Sequence, residues 1–453
     1  MSDLPCQWAE APMGDLLMDI EAGRSFKCSE RPAGPDEWGV IKVSAMTWRE
    51  FDEGQNKAVL SDHKIDPRFE IRSGDLLFSR ANTVSYVGAV VQVGETRPRL
   101  LLSDKSLRLV PHHSVSPRWL LYYLRTRQAR LYLESLATGT SDSMRNISQA
   151  NLRNLAVPVA PYGEQRRIVA AIEEQFSRLD AGVTALERAR HNLKRMRSAA
   201  FTIIADAVDT WVTLGEIADV VGGVTKDAKR QSDPSFAEVP YLRVANVQRG
   251  YLDLSAVTTI RVPTNTLEKL RLEPGDILLN EGGDRDKLGR GWIWEGKVKD
   301  CIHQNHVFRA RLLKDEFDPK FVSMHGNTFG RTWFEKMGKQ TTNLASLNLT
   351  TLKSFPVPDM PVERQREIVA EVERRLSVVD ALESAIHQSL ARSSSLRASI
   401  LATAFSGRLV PQDPNDEPAN TLLGRIATER AASNGHQPGR ARIARLAREE
   451  ATA

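Results

Sequence analysis

The sequence has few cysteines and no long apolar run. Its three cysteines, Cys6, Cys28 and Cys301, are too few and too widely spaced to form a disulfide framework, which favours a reducing compartment. No apolar run approaches the length that spans a membrane. The first ten residues are acidic and polar, whereas a secretory signal would be basic and then apolar. We therefore expect a cytoplasmic protein.

The short motifs of common catalytic sites are also missing. The sequence contains no Gly-Lys-Ser/Thr phosphate loop, no Gly-x-Gly-x-x-Gly, no Gly-x-Ser-x-Gly elbow and no His-Glu-x-x-His. It has no Asn/Asp-Pro-Pro-aromatic tetrad of the kind with which DNA amino-methyltransferases grip a flipped base. These absences weaken the hypothesis that the chain is an enzyme.

One acidic and basic cluster keeps a nuclease hypothesis open. Glu295 and Lys297, with Asp284 or Asp286 upstream, are residue types found in magnesium-dependent nuclease sites. Short patterns of this kind recur by chance, and a hairpin turn after a strand also accounts for this one. We interpret it as a turn.

A second cluster contains possible soft metal ligands. Cys301, His303 and His306 lie within six positions of one another, without a distant fourth ligand. Tetrahedral zinc sites combine ligands from separated positions, so this arrangement suits zinc poorly. We interpret these residues as core or DNA-facing side chains and predict no metal site.

Length and charge indicate a multidomain protein with a weak preference for anionic partners. A chain of 453 residues exceeds what one hydrophobic core usually organises, so we expect two or more domains. The 41% hydrophobic and 26% charged residues are typical of a globular protein with ample core material. The net charge of +5 favours a polyanion such as nucleic acid, although an excess this small is common.

The strongest pattern in the sequence is an internal repeat. Gln165 recurs as Gln365 and Asp180 as Asp380, and the offset of 200 residues is constant throughout the repeat. The repeated residues of the first copy are Pro161, Gln165, Arg166, Ile168, Val169, Ala170, Glu173, Ser177, Asp180 and Ala181. A duplicated segment that follows two dissimilar segments predicts a molecule with two related functions.

Both copies of the repeat have the periodicity of a long paired helix. Apolar residues fall seven apart in each copy, as in a coiled-coil seam. These positions are Ile172, Leu179, Leu186 and Leu193 in the first copy and Val372, Val379, Ile386 and Ile400 in the second, with Ser393 as a polar break. We expect the two helices to pack as an antiparallel pair.

Each helix follows a segment of mixed α and β structure. In the first segment, residues 40–43, 75–78, 84–93 and 100–102 are predicted strands, and residues 117–136 are a predicted helix. In the second, residues 241–244, 276–279, 291–294 and 306–310 are predicted strands. The sequence Gly275-Asp276-Ile277 resembles Gly74-Asp75-Leu76 at an offset of 201 residues, which predicts that the two globular segments share a plan. The predicted fold class is therefore α+β, with two α/β domains, two long antiparallel helices and a pseudo-two-fold internal repeat.

The loops after the equivalent strands are rich in residues that read nucleic acid. Arginine and asparagine match the hydrogen-bonding edges of guanine and adenine in the major groove. Equivalent loops in both segments suggest equivalent recognition loops, although a solvated charged loop is the alternative for any single residue. The candidate DNA-binding residues are Arg80, Asn82, Thr83, Asn246, Arg285, Lys287, Arg290, Asn305 and His306.

The whole pattern resembles the specificity subunit of a type I restriction–modification system. The resemblance rests on the run from Pro161 to Val169, its copy from Pro361 to Val369, and the closing run from Ala404 to Pro411. Residues 412–453 are rich in proline, asparagine and alanine with scattered arginines, which predicts a mobile basic tail with one helix at residues 440–450. The resemblance implies target-recognition domains at residues 1–155 and 210–355 and helical spacers at 156–209 and 356–411. It also implies that the chain reads an asymmetric bipartite DNA site and catalyses nothing itself.

The resemblance also implies partners and cofactors. Modification subunits would dock on the spacers and methylate adenine, and restriction subunits, which combine motor and nuclease, would complete the complex. S-adenosylmethionine, ATP and Mg²⁺ are expected on those partner subunits, and no cofactor is expected on this chain. Candidate subunit-docking residues are Gln165, Arg166, Gln365 and Arg366. The second copy has Arg364 where the first has Glu164 and places its carboxylate one position earlier, at Glu363, so the two copies depart from each other at this point.

Two alternatives remain open from the sequence. A metal-dependent nuclease built on Glu295 and Lys297 predicts cleavage of DNA by the isolated chain. A scaffold that binds DNA without reading its sequence predicts salt-sensitive binding that is indifferent to base sequence.

Overall fold

Both halves of the chain contain a four-stranded antiparallel sheet built from short apolar segments. The computed structural model describes residues 4–47, 50–60, 65–141, 144–205, 210–283, 287–340 and 345–435. The chain divides into unit 1, which comprises Met1–Ala185 and Ser389–Ala453, and unit 2, which comprises Leu186–Gln388.

The strands are short, from two to six residues. In unit 1 they are β1 Ala9–Pro12, β2 Leu17–Ala22, β3 Gly39–Ile41, β4 Asn56–Ala58, β5 Leu76–Ser79, β6 Ala81–Asn82, β7 Val90–Gln92, β8 Leu100–Leu101, β9 Ser106–Pro111, β10 Thr138–Ser141, β11 Met144–Asn146 and β12 Ala156–Val159. In unit 2 they are β13 Trp211–Thr213, β14 Ala218–Gly222, β15 Ala237–Leu242, β16 Val247–Gln248, β17 Tyr251–Leu252, β18 Thr258–Val262, β19 Ile277–Asn280, β20 Gly282–Gly283, β21 Gly291–Ile293, β22 Ile302–His303, β23 Val307–Leu312, β24 Lys339–Gln340, β25 Ala345–Ser346 and β26 Pro356–Pro358.

Two of the helices are far longer than the rest. The helices are α1 Met13–Leu16, α2 Pro117–Leu124, α3 Arg127–Leu136, α4 Gln149–Arg153, α5 Tyr162–Ala199, α6 Thr202–Ala205, α7 Leu214–Ile217, α8 Ala228–Ser232, α9 Thr264–Leu270, α10 Pro319–Asn327, α11 Phe329–Met337, α12 Leu349–Lys353, α13 Val362–Phe405 and α14 Ala419–Gly435. Helices α5 and α13, of 38 and 44 residues, coincide with the two copies of the repeat.

The two units have the same sheet topology. Unit 1 has the strand order β2-β9-β5-β7, and unit 2 has the equivalent order β14-β23-β19-β21, with all neighbours antiparallel. Both units add a sheet with a parallel pair, β4-β3-β8 in unit 1 and β18-β15-β22 in unit 2. The prediction that the globular segments share a plan at an offset of about 201 residues agrees with this arrangement.

The central strands alternate between two cores because successive side chains of a strand point to opposite faces. In β5, Leu76 and Phe78 belong to the main apolar core of unit 1, and Leu77 belongs to a smaller core on the other face. In β19, Ile277 and Leu279 likewise belong to the main core of unit 2, and Leu278 lies in a separate cluster. Both strands are therefore buried on both faces.

The long helices contact each other within each unit through complementary charges. In unit 1, Asp180 of α5 forms an ion pair with Arg397 of α13, whose guanidinium also lies 4.8 Å from the ring centroid of Phe176. In unit 2 the roles are exchanged, and Arg197 of α5 binds Asp380 of α13 at 2.5 Å. Asp180 and Asp380 are repeat positions, as are Arg197 and Arg397, so the repeat conserves this contact.

The segment after α13 differs from the predicted mobile tail. Residues 419–435 form helix α14, whose Ala419, Leu422 and Ile426 are buried in the main core of unit 1. The backbone N–H of Ser114 donates to His112 Nδ1 at 3.2 Å, so neutral His112 holds its proton on Nε2, which lies 3.1 Å from a Glu429 carboxylate oxygen. The mobile-tail prediction is wrong for residues 419–435, and the predicted helix at 440–450 lies outside the described residues.

The start of α5 buries a carboxyl group that has no counterpart in the second copy. Glu164 is fully buried and accepts a hydrogen bond from Trp8 Nε1 at 3.0 Å. Burial raises the pKa of the Glu164 carboxyl, while the Trp8 donor and the charge of Arg167 oppose the shift. Arg364 occupies the equivalent position of α13 and is exposed. Glu164 therefore links the N-terminal segment to α5 within unit 1.

The Glu164→Gln variant is expected to gain stability over wild type as the pH is raised. The quantity compared is the free energy of unfolding of unit 1. Well below the ordinary pKa of 4.5, both the folded and the unfolded chain hold the proton. At higher pH the unfolded chain ionises first, so the wild-type free energy of unfolding falls, whereas glutamine cannot ionise. Urea unfolding at intervals from about pH 4 to about pH 7 tests this linkage. A stability difference that is independent of pH would contradict it.

Candidate nucleic-acid interface

The candidate interface is built at the ends of the central strands β5 and β19. The start of each strand is fixed by an aspartate paired with an arginine: Asp75 with Arg108 at 2.9 Å, and buried Asp276 with Arg311 at 2.7 Å. Beyond each strand the chain enters a small three-stranded sheet, β10-β11-β6 in unit 1 and β20-β25-β24 in unit 2. Each loop is therefore supported by its own sheet.

Two candidate DNA-binding residues lie in the interior. Asn82 is 5% exposed, and its amide donates to Val43 O and Ser79 Oγ while its oxygen accepts from Thr83 N. Asn246 is 4% exposed, and its amide donates to the carbonyls of Asp253 and Ala256. Because these hydrogen bonds hold the fold, the prediction that Asn82 and Asn246 contact bases is wrong in this structure.

Other candidates lie at or near the surface, and their DNA contacts stay predictions. Arg80 is half-buried and Thr83 is exposed in unit 1. In unit 2, Lys287 and Arg290 are half-buried, and Arg290 donates to Val244 O at 3.3 Å. Arg285 lies outside the described residues.

Asn305 and His306 form one hydrogen-bonded group with Glu281. Exposed His306 places Nδ1 2.6 Å from a Glu281 carboxylate oxygen, and its Nε2 lies 3.3 Å from the Asn305 amide. An amide nitrogen can only donate, so Nε2 of the neutral ring accepts from Asn305 and Nδ1 donates to Glu281. The structure thus brings together two predicted residues and one carboxylate that was not among the candidates.

Lys105 was not among the residues predicted to bind DNA. It lies directly before β9, as His306 lies directly before β23, and its backbone carbonyl accepts from Arg80 N at 3.0 Å. The equivalent bond in unit 2 joins Glu281 N to His306 O at 2.9 Å. Extending the 201-residue offset from Gly74 and Gly275 along the chain pairs Lys105 with His306, so the signal was present in the sequence.

The buried glutamines of the repeat hold the start of each long helix. Gln165 accepts from Ser116 N at 3.2 Å and donates to Ala160 O at 2.9 Å. Gln365 accepts from Asp318 N at 2.9 Å and donates to Glu316 O and Met360 O. Both side chains are fully buried, so the prediction that they dock a partner is wrong. Arg166 and Arg366 are exposed, and their docking role stays a prediction.

The possible nuclease cluster forms a local ion pair. Glu295 and Lys297 pair with each other at 2.5 Å on the surface beyond β21. Asp284 and Asp286 lie outside the described residues. The geometry agrees with the interpretation of this segment as a turn.

The three possible soft-metal ligands lie in different surroundings. Burial raises the pKa of the Cys301 thiol to about 12. His303 is fully buried with Nδ1 2.6 Å from Val307 O, and burial lowers the pKa of its imidazole to about 4. His306 is exposed and paired with Glu281. Cys301 and His303 are therefore core side chains, as interpreted, and a DNA-facing role for exposed His306 stays a prediction.

Comparison with known proteins gives the family. No family model matches the chain. The EcoDI type I restriction enzyme specificity subunit of Escherichia coli is 36% identical over 354 residues, which cover 71% of this chain and 78% of that protein. The StySPI specificity subunit of Salmonella potsdam is 27% identical over 475 residues, covering 96% of this chain and 98% of that protein.

Solved structures show the same fold at lower identity. The HsdS subunit of Thermoanaerobacter tengcongensis has 20% identity and a TM-score of 0.60, covering 89% of this chain and 98% of that one. A chain from a study of complex assembly and conformational transition in a type I R-M system has 20% identity and a TM-score of 0.66. The match covers 90% of this chain and 99% of that one. These likenesses are consistent with a mixed helix-and-sheet fold carrying two long helices.

The fold and the similarities define a specificity subunit of a restriction–modification enzyme. This chain belongs to the family of type I restriction enzyme specificity subunits. Its function is to recognise DNA sequence within a multisubunit enzyme, and family membership confirms the expectation that it is non-catalytic. Across the stretches that the structure describes, no helix has an apolar run of the length needed to cross a membrane.

Proposed function

We propose that this chain reads an asymmetric, split DNA site, with unit 1 reading one half and unit 2 the other. The observation that carries the proposal is that both units place a loop at the same point of the same sheet topology, but with different side chains. Arg80 follows β5 in unit 1, whereas Glu281 follows β19 in unit 2. Equivalent positions with different donors and acceptors would select different bases.

The long helices would set the spacing between the half-sites. We propose that α5 and α13 form an antiparallel coiled coil between two target-recognition domains. The ion pairs of Asp180 with Arg397 and of Arg197 with Asp380 support this pairing. If both domains read one side of the duplex, the half-sites would lie about 10 bp apart, centre to centre.

The partners would supply the chemistry. We propose that modification subunits dock on the helices near exposed Arg166 and Arg366 and methylate adenine within the split site. Restriction subunits would cleave unmodified DNA. The S-adenosylmethionine, ATP and Mg²⁺ that these reactions need would bind to the partner subunits.

A map of methylated adenine tests the proposal. Cells that express the modification subunits with this chain should methylate adenine within one split, asymmetric motif, and cells that lack this chain should lose methylation at that motif. DNA binding by the purified complex should prefer the same motif over a scrambled duplex of equal length. Binding that depends on salt but not on sequence would instead identify a scaffold and would overturn the proposal.

A further inference from the structure

The two units place one pair of side chains at the same structural position. In unit 1 the pair is Arg80 and Lys105, joined by a backbone hydrogen bond from Arg80 N to Lys105 O. In unit 2 the pair is Glu281 and His306, joined by the same bond from Glu281 N to His306 O. In each unit the first member follows the central strand directly and the second directly precedes its neighbour, β9 or β23. We call these the edge pairs.

The chemistry of the two edge pairs is opposite. The unit 1 pair presents two cations, which donate hydrogen bonds and accept none. Within the described part of the chain, neither the Arg80 nor the Lys105 side chain has a carboxylate or other hydrogen-bond partner. Both side chains are half-buried near the loop surface. Such a position suits an acceptor-rich ligand.

The unit 2 edge pair presents an oriented carboxylate. His306 occupies one Glu281 oxygen at 2.6 Å, and the Glu281 side chain remains 27% exposed. A carboxylate has about four lone-pair sites, so most of its accepting capacity remains after one imidazole donor has bound. The hydrogen bond to His306 fixes the direction in which the carboxylate faces. Such a position suits a ligand that donates from an amino group.

We infer that the edge pairs are specificity-determining positions: Arg80 and Lys105 select guanine in one half-site, and Glu281, oriented by His306, selects an amino-bearing base, cytosine or adenine, in the other. The inference rests on the proposed function, since it assumes that each unit reads one half-site. In the major groove guanine presents the O6 and N7 acceptors, whereas cytosine N4 and adenine N6 are donors. The charges of the two edge pairs match these two base edges.

Two variants test the inference on the complete complex with its modification subunits. Changing Arg80 and Lys105 together to alanine should relax the requirement for guanine at one position of one half-site and leave the other half-site unchanged. Changing Glu281 to glutamine should relax one position of the opposite half-site. In each variant the preference for the correct base, measured by competition between duplexes that differ at that base pair, should fall roughly 10- to 100-fold.

The chain offers a matched control for charge. Arg31 and Lys57 lie in the same unit as Arg80, but Arg31 already binds Glu37 at 2.5 Å and Lys57 already binds Glu30 at 2.8 Å. Changing Arg31 and Lys57 to alanine removes two positive charges from unit 1, as the Arg80 and Lys105 variant does. This control should leave the methylated motif and the base preference as in wild type.

The outcomes separate this inference from the proposed function. If the wild-type complex shows no split motif, the proposed function itself is wrong. If the wild-type motif is split but both edge-pair variants assemble and keep its base preferences, the edge pairs do not determine specificity. The inference is also wrong if the position relaxed by the Arg80 and Lys105 variant is not guanine. If that variant does not fold, the Glu281→Gln variant still decides, because it tests unit 2 separately.

Discussion

Replacing Trp119 with alanine is expected to lower the free energy of unfolding of unit 1 by about 3–5 kcal/mol, the range for loss of a large buried aromatic side chain. Trp119 is fully buried in α2, and its indole N–H donates to Pro158 O at 3.0 Å. Its ring lies 5.4 Å from Trp8 and 4.5 Å from Phe405, measured between centroids. The substitution therefore opens a cavity where the N-terminal segment, α2 and the end of α13 meet.

Hydrogen exchange of the full chain, resolved by peptide, measures this effect separately in the two units. Faster exchange should be confined to unit 1 peptides. Trp211→Ala provides the control because Trp211, in unit 2, is 45% exposed. Its removal should lower the free energy of unfolding much less. Equal losses for the two tryptophan variants would show that Trp119 does not have the role assigned to it.

Replacing Gly223 with alanine is expected to destabilise unit 2 by roughly 1–3 kcal/mol, as overpacking commonly does. A Cβ atom at Gly223 would lie 2.1 Å from His303 O and 2.5 Å from Gln304 O, far inside contact distance. The next residue, Val224, donates to His303 O, and its carbonyl accepts from Asn305 N. The methyl group would therefore push apart the segments that position His306.

The same substitution is expected to weaken recognition of one half-site by roughly tenfold, equivalent to loss of one base contact. Thermal unfolding and competition between duplexes altered in either half-site measure the two effects. Gly222→Ala is the matched control, because a Cβ there would approach its nearest neighbours, Asn305 O and Phe308, only to 4.0 Å. If the two glycine variants behaved alike, close approach at Gly223 would not be what positions this loop.

The local sequence predicted the elements whose formation depends on local pattern. The seven-residue seam indicated both long helices, and α5 and α13 lie within the predicted spacers. Apolar runs indicated β5 and β19 to within one residue. Other predictions were too long: residues 84–93 form a strand only at Val90–Gln92, after a turn that ends at Gly88 with φ of +81°. The predicted helix at 117–136 is two helices, because Thr126 caps α3.

The positions of the two candidate loops in the fold were predicted, but the burial of their residues was not. The loops after β5 and β19 were correctly located as equivalent, because the Gly-Asp start of each strand repeats. Which polar side chains face solvent could not be predicted from these loops. Asn82 donates to a carbonyl 39 positions away in the sequence, and Asn246 donates to one ten positions away.

By itself the sequence determined the duplication, the two long helices, the buried central strands and the family of the chain. Each of these follows from local periodicity or from motifs that repeat at a constant offset. The tertiary structure decided which polar residues hold the fold and which remain at the surface. Gln365 binds Asp318 N, 47 positions away, and Glu281 meets His306 across two strands. Such partners are set by where distant segments cross, because a buried polar group must find its hydrogen bonds wherever the fold brings them.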